Sequence, residues 1–413
     1  MVRLKNLCVD AGQYGIGVSA ETYADSGTRL LRTTDISSGT LTSSAQGVFI
    51  AEPPEEKFTL KEGDLLLSRS GTPPGQSYLV RAIDSGATFA GYLVRFRPAF
   101  DTEPRFLGYV ARSAPFQHTI HSESVASTIQ NFNAERYANI QLQAPAVEEQ
   151  RRIADFLDAE TARIDRLSFL QAQVMLRLDE REQAQLDLAI DEITGNYGAV
   201  PLRRYLLGVQ QGSSPQCDNV PAKLDEWGVL KVSALRPGRF APEENKRLPD
   251  DVSPDRTNVV REGDLLITRA NTPQLVGSTA VVREVRGKLL LSDKIFRVRL
   301  DGRVLPKFVE LVARGRRTRN LCAVVSNGAS QSMANIRFEE VKQWPLPDAN
   351  LAQQQALVAR VSTQGDILEV MRGKVNRQLD LLTERRQALI TAAVTGQFDV
   401  TTASGRNVTD GVH

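Results

Sequence analysis

Three observations in this sequence predict one architecture: an α+β chain of two tandem mixed domains, each followed by a long helix, the helices pairing as an antiparallel coiled coil about a pseudo-twofold axis. The first is a phrase written twice. EGDLLLSRSGTP begins at Glu62 and EGDLLITRANTP at Glu262, with eight of the twelve residues identical. The second is that the likeness extends through both halves at an offset near 200: VRLKNL from Val2 resembles VPLRRYL from Val200, and LLRTTDISSGTL from Leu30 aligns with VLKVSALRPGRF from Val229. FAGYLVRFRP from Phe89 corresponds to LSDKIFRVRL from Leu291, and Phe96 is matched with Phe296. The third is a change of texture after each repeat, where Gly and Pro nearly vanish and apolar residues recur at alternating steps of three and four.

Residues 1–147 read as the first domain. Its short aliphatic runs, DLLLSR and YLVRFRP, are bounded by turn formers and predict a mainly antiparallel sheet; Asp64, after Gly63, reads as a turn into a strand. Residues 148–195 are the first helical spacer, with the seam Ile153, Leu157, Glu160, Ile164, Leu167, Gln171, Val174 and Leu178. Residues 196–347 repeat the domain, with the runs LLITR and KIFRVRL. Residues 348–396 repeat the spacer, with the seam Leu357, Val361, Gln364, Leu368, Met371, Val375, Gln378 and Leu382, offset by 204. Gly195 and Gly396 are the expected helix stops, and residues 397–413 the expected flexible tail. Helices of about 40 residues, roughly 60 Å long, cannot leave such stripes in water, so they are expected to pair with each other. Polar seam positions such as Glu160 then set the register.

With 413 residues, 41% hydrophobic and 24% charged, the chain has the make-up of a globular protein of two or three domains, and a duplication favours an even number. No apolar run approaches a membrane span and the N-terminus lacks the apolar middle of a signal peptide, so a cytoplasmic protein without a membrane partner is expected. Cys8, Cys217 and Cys322 are odd in number and far apart, which suggests neither a disulfide framework nor a zinc knuckle. Charge is uneven. Residues 1–147 hold 13 basic and 14 acidic side chains, whereas residues 196–347 hold 25 and 16.

The motifs of chemistry are missing. YGIGVSA, with Gly15 and Gly17, is a lone GxG without a strand-loop-helix context, and there is no GxxxxGK[ST] loop. His118 and His121 have no further metal-ligand partners, so no metal site is expected, and no set of residues has the arrangement of a catalytic site.

The whole pattern resembles the specificity (S) subunits of type I restriction-modification systems. The resemblance covers about residues 1–400 and rests on GDLLLSRSGTP, GDLLITRANTPQLVG, the junction APAVEEQRRIADFLDAETARID and the terminal ERRQALITAAVTGQFDV. The second junction, DANLAQQQALVARV, departs from the acidic-Gln-basic pattern of that family. The resemblance implies two target-recognition domains, each reading one half of a bipartite double-stranded DNA target. It implies that the helices act as a ruler and dock two methyltransferase (M) subunits, with restriction (R) subunits joining the complex. S-adenosylmethionine, ATP and Mg2+ would then belong to those partners, and this chain would be non-catalytic and bind no cofactor. A coiled-coil scaffold that joins proteins without touching DNA is the rival reading.

Base recognition requires donors and acceptors that reach the major groove. The loops after the repeated strand offer Arg69, Ser70, Thr72 and Gln76 in one domain, and Arg269, Asn271, Thr272 and Gln274 in the other. LLRTTD adds Arg32 and Thr33, and VLKVSA adds Lys231 and Ser233. Late in each domain Ser124, Ser127 and Gln130 correspond loosely to Asn327, Ser330 and Gln331. Arg314, Arg316, Arg317 and Arg319 form a run dense enough to follow a phosphate backbone. Residues that the copies share are expected to hold the fold or touch phosphate, and residues at which they differ to carry base readout.

Overall fold

The computed structural model describes residues 1–37, 39–41, 47–71, 74–125, 131–285, 287–326 and 334–400. The chain forms two compact units, residues 1–172 with 376–413, and residues 173–375. In the first, β1 (Gln13–Tyr14), β2 (Leu65–Ser68), β3 (Ser77–Leu79) and β4 (Leu93–Phe96) form an antiparallel sheet in the order β1-β4-β2-β3. In the second, β5 (Leu206–Gln211), β6 (Leu265–Thr268), β7 (Thr279–Val281) and β8 (Ile295–Leu300) repeat it as β5-β8-β6-β7.

The repeated phrase is the entry to the central strand of each sheet. β2 and β6 are buried on both faces, which is why they are continuous aliphatic runs. Leu65 and Leu67 face a core that includes Phe106 and Phe116, while Leu66 faces another with Leu31 and Phe89. Before the strand the chain must turn sharply: Gly63 has φ +86° and Gly263 φ +84°, in the left-handed region that only glycine occupies without strain. Asp64 Oδ2 then accepts the Lys61 N–H at 2.8 Å, and Asp264 Oδ2 accepts the Arg261 N–H at 2.9 Å. Each carboxylate closes its own turn, as the spacing predicts.

A smaller sheet lies beside each large one. Thr28–Leu31 runs parallel to Thr88–Phe89 and antiparallel to Val48–Ile50, as Gly228–Leu230 does to Leu289–Leu290 and Asn245–Arg247. Each domain closes by pairing its first strand with its last, Val2–Arg3 with Gln141–Leu142 and Ala199–Pro201 with Pro345–Pro347.

Strand register corrects one alignment. Leu65 pairs with Phe96, but Leu265 pairs with Val298. Phe96 is therefore equivalent to Val298, and the buried Arg95 to the buried Arg297, at an offset of 202. A slip of two residues keeps every side chain on its own face, so hydrophobic pattern alone cannot detect it.

The long helices are α1 (Val147–Tyr197) and α2 (Leu351–Val394). They run antiparallel within each unit. In the second, Arg372 pairs with Asp179 and Glu182 while Arg360 pairs with Glu192; in the first, Arg386 pairs with Asp165, and Phe398 beyond α2 packs on Phe156 with centroids 5.5 Å apart. Ile153, Leu157, Ile164, Leu178, Leu357, Leu368 and Val375 are buried as the seam requires. Leu167, Val174 and Met371 are not, at 41–42% exposure. Their neighbours Ser168, Met175 and Arg372 are half-buried instead. Steps of 3,4 and 4,3 both satisfy the pattern, and α1 takes the second between Ile164 and Leu178, where the polar Ser168 hides the choice.

Helix α1 also runs through Gly195 and stops at Gly198, whose φ is +73° and whose N–H reaches the Thr194 carbonyl at 2.8 Å. A glycine inside a helix costs only about 1 kcal/mol relative to alanine, so Gly195 need not end it.

Candidate nucleic-acid interface

The loop that leaves the central strand begins with the shared arginine of each copy. The Arg69 N–H donates to the Tyr92 carbonyl at 2.9 Å and the Arg269 N–H to the Lys294 carbonyl at 2.8 Å. Each guanidinium then reaches back one residue further along the same turn: Arg69 Nη1 to the Gly91 carbonyl at 3.5 Å, and Arg269 Nη1 to the Asp293 carbonyl at 3.4 Å. The arginine carbonyl in turn accepts the Phe132 N–H at 2.8 Å in the first domain and the Ile336 N–H at 2.9 Å in the second. One arginine per domain thus ties together three segments, the loop after the strand, the turn before β4 or β8, and the segment that returns late in the domain.

What packs against this clamp differs between the copies. The Arg69 guanidinium lies over the Tyr14 ring, 5.0 Å from its centroid, and its Nε donates to Asn131 at 3.3 Å. In the second domain Gln211, which occupies the place of Tyr14 in the sheet, donates to the Asp293 carbonyl instead. The lone GxG finds its explanation here. A Cβ on Gly15 would overlap the Phe89 carbonyl and one on Gly212 the Leu291 carbonyl, so both glycines let a strand end pass over the turn, while Gly17 has open space around it.

The remaining predicted residues fall in several environments. Arg32 makes a two-pronged pair with Asp35, at 2.8 and 3.2 Å, which raises its pKa, and Thr33 is half-buried in the following 3-10 turn. Lys231 and Ser233 both meet Glu244, at 3.9 and 2.6 Å. Ser70 and Gln76 are half-buried, and the Gln76 N–H donates to Ser68 Oγ at 2.9 Å. Asn271 pairs in a short ladder with Ala334 and caps the Thr272 N–H at 2.9 Å, while Thr272 and Gln274 are exposed. Thr72, Ser127, Gln130, Asn327, Ser330 and Gln331 lie outside the described residues.

The arginine run is divided between different tasks. Arg314 Nη2 pairs with Glu182 at 2.7 Å and Arg316 Nε with Asp187 at 3.3 Å, so both reach α1. Arg319 Nη2 donates to the Gln274 carbonyl at 2.7 Å, tying the helix Arg316–Ser326 to the loop after β6. Burial lowers the pKa of Arg319. Its counterpart Gln117 does the same work without charge, donating to the Gly75 carbonyl at 3.0 Å. Arg317 is exposed. Arg314, Arg319 and Arg372 line an open cleft of about 680 Å³ together with Asp179 and Glu182.

Tyr92, Tyr14, Asn131, Gln117 and Lys294 were not singled out from the sequence. The signal for Tyr92 and Lys294 was present, since the copies disagree there and the stretches from Phe89 and Leu291 already set one opposite the other at the offset of 202 that strand register confirms. Among the described residues no group of three His, Cys, Asp or Glu stands close enough to hold a metal ion, and no helix is long and apolar enough to cross a membrane.

Comparison with known proteins agrees with this layout. The family model "Type I restriction modification DNA specificity domain" matches residues 34–173. The type I restriction enzyme EcoEI specificity subunit of Escherichia coli is 27% identical over 191 residues, 46% of this chain and 32% of that one. The EcoKI specificity subunit of Escherichia coli strain K12 is 23% identical over 306 residues, 71% of this chain and 65% of that one. The chain thus spans about a third and just under two thirds of the length of these relatives. In fold it is similar to a chain from a study of complex assembly and conformational transition of the type I R-M system, with TM-score 0.65, 16% identity and coverage of 96% of this chain and 97% of that one. It is also similar to the HsdS subunit from Thermoanaerobacter tengcongensis, with TM-score 0.51, 16% identity and 96% of each chain covered. Residues 34–173 thus match a type I restriction-modification DNA specificity domain, and the chain as a whole is similar to type I specificity subunits.

Proposed function

We propose that this chain recognises double-stranded DNA by sequence, each domain addressing one half of a bipartite target, and that α1 and α2 set the gap and dock two methyltransferase subunits. One observation carries the reading: the same clamped loop and turn is built twice, with different side chains displayed on it. A pair of unlike readers on one scaffold suits a target with two unlike halves. The excess of basic residues over residues 196–347 favours contact with phosphate there, and the near-neutral residues 1–147 leave more of the grip on DNA to partner subunits.

The candidate DNA contacts are those of the loops and of the arginine run, of which Thr272, Gln274, Arg316 and Arg317 are exposed. For docking, the helices keep apolar side chains in water: Leu167, Phe169, Leu170 and Leu381 in the first unit, and Val174, Leu176, Ile367, Val370 and Met371 in the second, each 41–60% exposed. Such residues on long helices suit coverage by partner helices. S-adenosylmethionine, ATP and Mg2+ belong to the partner subunits in this reading, and this chain supplies the address.

The test is to co-express the chain with its methyltransferase partner and map modified bases across a genome. A single gapped, two-part motif is the expected result. Modification without such a motif favours the scaffold reading and sinks this one. Inserting whole helical turns near residue 180 should then lengthen the gap and leave both half-sites unchanged.

A further inference from the structure

We infer that the turns gripped by the shared arginines carry specificity-determining residues, Tyr92 for the first half-site and Lys294 for the second. This rests on the proposed reading of DNA and deepens it. The two positions are equivalent by backbone geometry and not merely by alignment. Each carbonyl accepts the N–H of its shared arginine, the carbonyl one residue earlier accepts that arginine's Nη1, and a tight turn of the same span surrounds it, closed by Leu93 N–H to Ala90 O at 2.9 Å and by Ile295 N–H to Ser292 O at 3.3 Å. These contacts hold the turn, so it is rigid before any ligand arrives.

The side chains displayed from this common frame are of opposed chemistry. Tyr92 is 63% exposed, an unusual state for so large a ring, and it stands on the turn to which the loop carrying Arg69 and Ser70 is bound. Its ring can lie against a thymine methyl, and its hydroxyl can both donate and accept. Lys294 is half-buried on its turn and can only donate, which suits the O6 and N7 acceptors of guanine. The residue before each differs as well: Gly91 has no side chain, whereas Asp293 bonds to Ser214. A platform that is conserved between the copies while its displayed group changes from aromatic to cationic is what two readers of different bases need. The shared arginines are positioning residues in this account, and the turn residues do the discriminating.

The experiment compares the modified motif of complexes carrying the unaltered chain, Tyr92→Ala, Tyr92→Phe, Lys294→Ala, and the double substitution Gly91→Asp with Tyr92→Lys. Tyr92→Ala should relax one or two positions of the first half-site, with at least a tenfold loss of discrimination there, and leave the second half-site and the gap intact. Lys294→Ala should do the reverse. The double substitution should shift the preferred base in the first half-site only, and Tyr92→Phe should retain the apolar part of the preference. Thermal melting of each complex, unchanged by these substitutions, shows that the scaffold survives. If the unaltered complex gives a gapped motif and every variant gives the same one, this inference is overturned and the proposed function stands. An unaltered complex that yields no gapped motif overturns both.

Discussion

Where the helix Pro104–Arg112 ends, the Ala114 N–H donates to Thr391 Oγ1 at 3.0 Å; where the helix Pro306–Arg314 ends, the Arg316 N–H donates to Asp187 Oδ1 at 2.8 Å. Four residues before each acceptor stands a glutamine, Gln387 donating to the Arg112 carbonyl at 2.8 Å and Gln183 to the Arg314 carbonyl at 3.3 Å. The first pair comes from α2 and the second from α1, 204 positions apart, the offset of the predicted seam. The duplication therefore preserved the places at which a long helix must satisfy the domain's exposed backbone, and let the chemistry vary between a neutral hydroxyl and a carboxylate. The far side of each junction is more conservative. Gln150 caps the Glu103 N–H at 3.0 Å and Gln354 caps the Leu305 N–H at 2.9 Å; both are buried, and both also bond a carbonyl of the loop before their helix. The second junction, which departs from the family pattern in its flanking charges, keeps the buried glutamine whose hydrogen bonds join helix to domain.

The strongest way to break the equivalence lies in the cores. Arg297 is buried, donating to the Val259 and Thr257 carbonyls at 2.7 Å each and pairing with Asp264 at 3.1 Å. Arg95 is equally buried, but its carboxylate partner Asp10 is 37% exposed, and Asp64 is held by Arg97 instead. Arg297→Met should destabilise the second unit by about 3–5 kcal/mol, since it leaves Asp264 without its cation and two carbonyls without their donor. Arg95→Met should cost less, because water can solvate Asp10. Denaturant unfolding followed by hydrogen exchange, which resolves the two units, checks this; an equal or greater loss for Arg95→Met would refute the comparison.

The glutamines sharpen it. Gln150→Ala and Gln354→Ala each leave a buried N–H and at least one carbonyl without a partner, for about 2–3 kcal/mol apiece. Near-equal losses in the two units, read by the same exchange experiment, are the expected outcome. A loss confined to Gln150→Ala would mean that the departure at the second junction reaches the hydrogen bonds themselves.

These contrasts also show what could be read from the sequence. The duplication, the two mixed domains and the paired long helices were legible because they rest on repeated identities and on periodicity, which are local properties of the chain. The turn role of Asp64 and Asp264 was legible for the same reason, since glycine before and aliphatics after state the geometry. The stretches from Phe89 and Leu291 carried the right offset, but the match of Phe96 with Phe296 did not, because a slip of two preserves every face. The middle of the helical seam was not legible, because Val174 and Met175 are both apolar and the polar Ser168 makes Leu167 look like the inward residue, so two phases fit. The tasks of Arg314 and Arg316 were hidden too: a dense run of cations looks the same on paper whether it meets phosphate or the carboxylates of a helix more than a hundred residues away.

The smallest effect gives the finest test of what the duplication preserved. If the acceptor matters and its charge does not, Asp187→Thr should behave like the first junction. The threonine hydroxyl would still accept the Arg316 N–H, and the losses would be the pair with the Arg316 guanidinium, itself 67% exposed, and the 3.2 Å bond from Gln183 Nε2. Exposed pairs of this kind contribute about 0–1 kcal/mol and are screened by salt. Asp187→Ala removes the acceptor as well, and losing such a cap costs about 1 kcal/mol more. The second unit of Asp187→Thr should therefore lie within about 0.5 kcal/mol of the unaltered chain at high salt, with Asp187→Ala below both at every ionic strength. If the two variants are instead equally destabilised at high salt, the carboxylate itself is required, and the two junctions have diverged in mechanism as well as in residue type.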